Sequence, residues 1–413
     1  MLKNEINFAI GFVTGRPNVC NIINAYYKNI LEQAERFERK VNITIYVLYD
    51  LTYQNVNRED FYHISKEVYE SNIQIKYITL EDIKKERAAI IDKQILDRRE
   101  AVAFFGYGHA RGRNTLMYFA LKDKNDYLLF WDDDEYPYSV EKDENNNLIW
   151  KKQDNILEHL KYIEDSNVTI GYHCGYISPI PYIDYKNEIK EEVFKEYIEA
   201  ISNDIINWEN IKNKFEEHNG VTFAETEIAD GKGAYEKKKE DGIKWVAGST
   251  LCLNLREPEK IPAFFNPLAA RGEDTFFSMR LNDSKVIKVP VYHFHDGFLK
   301  YTEIMDNEFP TYLRRIGKSE AKVIEERFLN ASRGWIKYKP LFLYITDREN
   351  YAETIKRIEA SLNDCILKIN EIFDHEDFTV VLEDFKMYHN RVEEDYKKYL
   401  DVNEIWKKLK SNI

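Results

Sequence analysis

"LLFWDDDEYP", residues 128–137, decides how the rest of the chain is read. Four apolar residues run into three aspartates, and a proline follows shortly after. Adjacent carboxylates repel one another and resist leaving water, so a buried strand does not usually end this way unless something positive sits among them. If the strand stays extended, Asp132 and Asp134 share one face and Asp133 takes the other. Two carboxylates on one face suit a hard divalent cation, Mn²⁺ or Mg²⁺. The plainer alternative is a solvated acidic turn, since two aspartates one residue apart recur by chance.

Working outward, the N-terminal half alternates between two periodicities. "NFAIGFVTG" (7–15) is strand-like and ends at a glycine turn, and residues 18–40 carry helical spacing. "VNITIYVLYD" (41–50) is continuous and β-branched, as a strand buried on both faces would be. "IQIKYITL" (73–80) predicts another strand, Glu81 to about Phe105 a helix, and "ARGRNTLMYFALK" (110–122) a helix that delivers the aspartate strand. Such alternation predicts a mostly parallel, Rossmann-like sheet covered by helices. Ligands of these sheets bind in the crevice at the carboxyl ends of the strands, where the aspartates lie.

Downstream, "NVTIGYHCGYISPIP" (167–181) and "KWVAGSTLCLNL" (244–255) have buried-strand texture. Between them, residues 184–244 are rich in Lys, Glu and Asn and predict an insertion, helical between about 188 and 218. Its tail, "DGKGAYEKKKEDG", reads as a loop, with an acceptor-recognising lid over 225–242 the sharper alternative to a solvated helical pair. From about 306 to 413 the chain predicts charged helices. Ile355, Ile358, Leu362, Ile366 and Ile369 form one apolar stripe there. The expected organisation is one domain over 1–305 carrying the insertion, then a helical region that buttresses it, docks on a membrane or pairs the chain as a homodimer.

Three segments join the aspartates as candidate chemistry. "RGEDTFFSMRL" (271–281) opens a helix with Glu273 and Asp274, explained by the helix dipole alone or by a general base. "VPVYHFHDGF" (289–298) carries His293 and His295 at alternate positions, and imidazole suits Mn²⁺. "VTGRPNVC" (13–20) places Arg16 just past the first strand, at the same sheet edge. Tyrosines flank these segments at 107, 136, 138, 172, 176 and 182, with half-buried packing the commoner role and sugar stacking the sharper one.

Composition sets bounds. The 413 residues are 44% hydrophobic and 14% aromatic, which supports a large core. A net charge of −13 argues against nucleic acid as a partner. Four cysteines without short spacing exclude a zinc ribbon and fit a reducing compartment. No apolar run approaches the ~18 residues of a membrane span. The reading is of a cytoplasmic protein, at most peripheral to the inner face of the membrane.

In this order, "TGRP", the Asp50 turn, "RGRN", "DDD", "GED" and a terminal histidine resemble the inverting glycosyltransferases of the GT-A fold, family-two-like. The "LLFWDDDEYP" and "GED" segments resemble bacterial galactofuranosyl- and rhamnosyltransferase-like members. The likeness covers about residues 7–300. It implies that Asp132, Asp134 and His295 (or His293) hold Mn²⁺ or Mg²⁺. It further implies that Thr14, Arg16, Asp50, Arg113, Asn114, Asp132 and Asp133 bind a nucleotide-diphosphate-sugar, and that Asp274 is the base with Glu273 beside it. The implied reaction moves a sugar to a glycan, lipid-linked or protein acceptor, in bacterial cell-surface polysaccharide synthesis. A glycosidase also uses two carboxylates but has no use for three aspartates at a strand end. A sugar-nucleotidyltransferase shares the fold, and "GFVTGRPNV" makes a poor phosphate cradle for one. A non-catalytic carbohydrate-binding protein is the alternative from another class.

Overall fold

The structure is a computed structural model that describes residues 5–53, 55–176, 188–203, 207–209, 211–212, 221–222, 233–312, 314, 321–373 and 376–413. β1 (Glu5–Thr14), α1 (Val19–Ala34), β2 (Lys40–Tyr49), α2 (Lys66–Tyr69) and β3 (Gln74–Ile78) come first. α3 (Leu80–Asp92), α4 (Arg98–Phe104), α5 (His109–Lys122) and β4 (Tyr127–Phe130) follow. The single helix expected from Glu81 to Phe105 is two. Gln94 takes a left-handed φ of 57°, and Asp97 with Glu100 builds a reciprocal capping box that starts a new helix.

Next come β5 (Glu135–Tyr136), β6 (Tyr138–Lys142), β7 (Leu148–Lys152), α6 (Asn155–Ile163), β8 (Val168–Tyr176) and α7 (Glu188–Ile201). β9 (Val221–Thr222), β10 (Tyr235–Glu236), β11 (Leu251–Asn254), α8 (Glu273–Ser278) and β12 (Val286–His295) complete the sheet region. The strands run β10-β12-β8-β11-β4-β1-β2-β3 across the sheet, and β6 and β7 pair in a separate two-stranded sheet. β3, β2, β1 and β4 are mutually parallel, as are β8 and β12, while β11 runs antiparallel between β4 and β8. The central sheet is therefore mixed, helices cover both faces, and a helical extension follows, as in the expected Rossmann-like α/β architecture.

Two apolar clusters fill the faces. Phe8, Ile10, Phe12, Tyr26 and Trp131 lie in one, with α1 and α6; Leu116, Leu128, Phe130 and Phe264 lie in the other. All four cysteines are buried and free. Among the described residues no helix is long and apolar enough to cross a membrane.

The extension comprises α9 (Ala321–Thr346), α10 (Tyr351–Phe373), α11 (Thr379–Asn390) and α12 (Val392–Lys410). The stripe Ile355, Ile358, Leu362, Ile366 and Ile369 is buried within the chain. Trp406 stacks on Phe104 at 5.5 Å and donates its indole N–H to the Ile261 carbonyl at 2.9 Å, so α12 is pinned to the sheet domain. The solvated helical pair expected of the insertion is not what its described part forms. Phe194 of α7 packs on Phe328 and Phe373, and Tyr197 on Phe328, inside the same core as α9 and α10. Residues 225–232 of the lid expected over 225–242 lie outside the described residues, and so does Tyr182. The described tail adds β10 to the outer edge of β12.

Candidate active site

β4 stops at Phe130, and residues 133–134 lie in a turn, so the expected alternation of the aspartates fails. Asp133 and Asp134 turn to the same cation. That cation is Arg16, carried on the loop after β1. Its Nη2 donates to Asp133 Oδ1 and, at 2.9 Å, to Asp134 Oδ2. Thr14 donates its hydroxyl to Asp133 Oδ2 and accepts the Arg16 backbone N–H at 2.9 Å, which fixes the loop. Asn18 donates to the Asp133 carbonyl at 2.7 Å. Burial alone would lower the Arg16 pKa, but Asp134 and Asp133 hold it raised.

Asp132 turns the other way, to Arg113 of α5. Arg113 donates Nη1 to the Gly248 carbonyl at 2.5 Å, while Nη2 lies 3.4 Å from Asp132 and Nε 3.6 Å from Glu273. The guanidinium lies over the Phe130 ring at 4.8 Å and is almost wholly buried. It approaches so closely that a Cβ on Gly248 would stand 2.8 Å from Nη2 and would push the guanidinium aside. Gly272, at φ 91°, caps α8 against the Tyr338 ring of α9 and turns Glu273 inward. Burial opposes the ionisation of Glu273, but His109 and Arg113 hold its pKa below the usual value. It is a buried counter-ion to Arg113. Asp274 next to it keeps part of its surface open, and its Oδ1 accepts the Thr275 N–H at 2.9 Å.

His295 ends β12 beside Asp134, with Nε2 3.7 Å from Oδ2 and Nδ1 2.7 Å from the Tyr176 carbonyl. A carbonyl only accepts, so Nδ1 carries hydrogen and Nε2 is the atom turned to Asp134. Burial would lower the His295 pKa, but Asp134 beside it holds it raised to about 9, so Nε2 must release its proton before the ring can ligate. Asp134 and His295 together therefore suit Mn²⁺ or Mg²⁺ in donor chemistry. The expected three-residue set is not assembled: among the described residues no group of three His, Cys, Asp or Glu is placed to hold a metal ion. Asp132 is drawn away by Arg113, and Arg16 takes up the charge of Asp133 and Asp134.

Three candidates stand outside this set. Asn114 is fully buried, with its amide donating to the Phe264 carbonyl at 2.9 Å and accepting the Phe264 N–H at 2.8 Å, so it clamps backbone and faces no cleft. Asp50 reaches the right sheet edge, its N–H donating to Thr14 O at 2.8 Å. Its carboxylate, however, accepts from Thr52 N and Oγ1 at 2.9 and 2.6 Å. His293 is buried beneath the site, 3.0 Å from Glu135 Oε2.

Sequence reasoning missed Glu135, His173 and Arg327. Glu135 was visible as the fourth acid of the run. His173 becomes notable only once β8 is known to pair with β12, which sets it opposite His293. Arg327 comes from α9, whose burial lowers its pKa while Asp134 raises it and Arg16 lowers it further, so the helical extension reaches the aspartate edge. It is held there over the Phe298 ring at 4.8 Å.

No family model and no curated protein matches the chain. Among solved structures, core-mannan synthase A of Aspergillus fumigatus, in a Mn/GDP form, aligns with 55% of this chain and 61% of its own, at 12% identity and a TM-score of 0.21. The chain thus spans less than two thirds of that structure. With so distant a likeness, the functional assignment rests on the geometry above.

Proposed function

We propose that the chain is a glycosyltransferase that moves a sugar from a nucleotide-diphosphate-sugar to an acceptor hydroxyl with inversion, in bacterial cell-surface glycan synthesis. The observation that carries the reading is the pair of guanidiniums, Arg16 and Arg113, bracketing three aspartates at the carboxyl edge of parallel strands, with an acidic helix start on the far side of Arg113. Thr14, Arg16 and Asp133 would receive the nucleotide, with Arg16 exchanging one carboxylate for a phosphate oxygen. Asp134 and His295 would hold Mn²⁺ or Mg²⁺. When bound, such a cation offsets the negative charge that grows on the departing diphosphate.

In the proposed step the acceptor oxygen forms a bond to the anomeric carbon as the bond from that carbon to phosphate oxygen breaks. The bonding pair leaves with the nucleoside diphosphate, and the acceptor proton passes to the carboxylate of Asp274. Attack from the far face inverts the centre, and one base suffices. Glu273 is the weaker candidate for that proton, because it is buried against Arg113. Arg113 keeps Asp132 and Glu273 in place while the charge redistributes.

The test is a nucleotide-release assay with UDP-, GDP- and dTDP-sugars in Mn²⁺ or Mg²⁺, run beside a thermal-shift screen of the same ligands. A ligand that binds only the native state raises the melting temperature, so the base of the donor is read directly. Release of nucleotide with a matching stabilisation is expected. Neither release nor stabilisation with any donor would overturn the reading.

A further inference from the structure

Beneath the aspartates lies a second hydrogen-bonded set. Glu135 is 2% exposed and joined to three side chains. Its Oε1 accepts the Ser249 hydroxyl at 2.7 Å and lies 3.1 Å from His173 Nε2, while Oε2 lies 3.0 Å from His293 Nδ1. His173 Nε2 is also 2.6 Å from Ser249 Oγ. Burial opposes the ionisation of Glu135, yet the two imidazoles hold its pKa well below the ordinary value.

A carboxylate only accepts, and the Ser249 proton is already directed at it. The hydrogen of a neutral His173 therefore sits on Nε2, and the lone pair sits on Nδ1. Nδ1 has no hydrogen-bond partner among the described residues, and 31% of the His173 side chain is open while Glu135 and His293 are closed. Ser249 is not poised as a nucleophile, because its hydroxyl donates to a buried carboxylate rather than to a free base.

The backbone that sets this geometry is strained. Thr250 is β-branched and fully buried, yet takes φ 53° with its hydroxyl unpartnered among the described residues. That conformation lies next to two fixed contacts: the Gly248 carbonyl on Arg113 and the Ser249 hydroxyl on Glu135. One distorted turn thus ties the Arg113 set to the His173 set, as strain at functional sites commonly does.

We propose that His173 is a substrate contact whose Nδ1 accepts a hydrogen bond from a hydroxyl of the sugar being transferred, with Glu135 and Ser249 as positioning residues that fix the tautomer. This rests on the glycosyltransferase reading above. A lone pair held in one direction recognises a hydroxyl at one ring position and rejects a donor that lacks it.

The experiment compares wild type with His173→Phe and His173→Asn on the best donor among UDP-glucose, UDP-galactose, GDP-mannose and dTDP-rhamnose, and on its deoxy analogues. Wild type should lose about tenfold in kcat/KM on one deoxy analogue and little on the others. His173→Phe should lose about tenfold on the parent donor and treat that analogue like the parent. His173→Asn, with an amide oxygen near the place of Nδ1, should restore the discrimination. A His173→Phe enzyme that keeps the wild-type discrimination overturns this proposal alone, whereas a wild type that turns over no donor overturns the transferase reading with it. Should His173→Phe fail to fold, ring ¹⁵N NMR of the wild-type chain decides. An unprotonated Nδ1 that shifts on adding the donor supports the contact, and a protonated Nδ1 or an unmoved signal sinks it.

Discussion

Asp132 and Asp134 are the same residue type two positions apart, and their surroundings drive them in opposite directions. Asp132 is pushed up to about 7 by burial in the cleft, with Arg113 opposing and Glu135, Asp134 and Asp133 adding to the rise. Asp134 is also penalised by burial, but His295 and Arg16 hold it far below the ordinary carboxylate range. The arginines differ as well. Arg113 is fastened on several sides and closed to water, whereas Arg16 keeps 32% of its side chain open on a loop. One half of the site is a rigid brace and the other an ionised clamp that can exchange partners. Paired carboxyls with separated acidities are how one site divides its tasks.

The largest expected effect lies outside both halves. Asp274→Asn should lower kcat by about 10²–10⁴-fold while the donor Kd stays within about twofold, measured by nucleotide release and calorimetry. An unchanged kcat would move the base elsewhere, into one of the halves. Asp134→Asn should cut turnover by about 10²-fold or more and cost about 3 kcal/mol of stability at pH 8, because Arg16 and His295 lose their shared partner. That penalty should fade progressively as pH falls below about 4, where the unfolded carboxyl takes its proton and the folded one is still ionised. Arg113→Lys should lower stability by about 2–3 kcal/mol in a urea titration, since an ammonium cannot bridge Asp132, Glu273 and the Gly248 carbonyl together. Arg16→Lys under the same titration should change little, and equal losses would erase the contrast between brace and clamp.

The smallest effect carries the opposite sign. Asp132 binds its proton more tightly folded than unfolded, so ionising it disfavours the fold as pH rises from about 4 through 7. Asp132→Asn should therefore stabilise the chain at pH 8 by about 1 kcal/mol, the open part of the side chain being screened by water, and the gain should vanish near pH 4. Thermal melts of the two Asn variants across that range should diverge in sign. Matching signs would mean that the two aspartates share one environment.

Much of the sheet was legible because its periodicities are local. β1, β2, β3, α5 and β8 follow from apolar runs and helical spacing that need no distant contact. The sequence overstated strands where a single backbone angle intervenes: the run from Lys244 becomes a strand only at Leu251, after Thr250 turns left-handed. The helix break near Asp97 left a visible capping signal, and the role of α7 in the C-terminal core did not. That packing depends on Phe194 and Tyr197 meeting residues far along the chain.

From order and residue type alone came the sheet class, the acidic strand end, the acidic helix start, the arginine after β1 and the histidine that closes β12. Those are properties of neighbours in the chain. Only the fold could pair charges across it: Asp133 and Asp134 with Arg16, Asp132 with Arg113, and Glu135 with His173 and His293. Such pairs span up to about 160 residues, and their geometry comes from strand order and a turn whose angles no local pattern encodes. The sequence named the charges, while the distances that set their acidity belong to the tertiary structure.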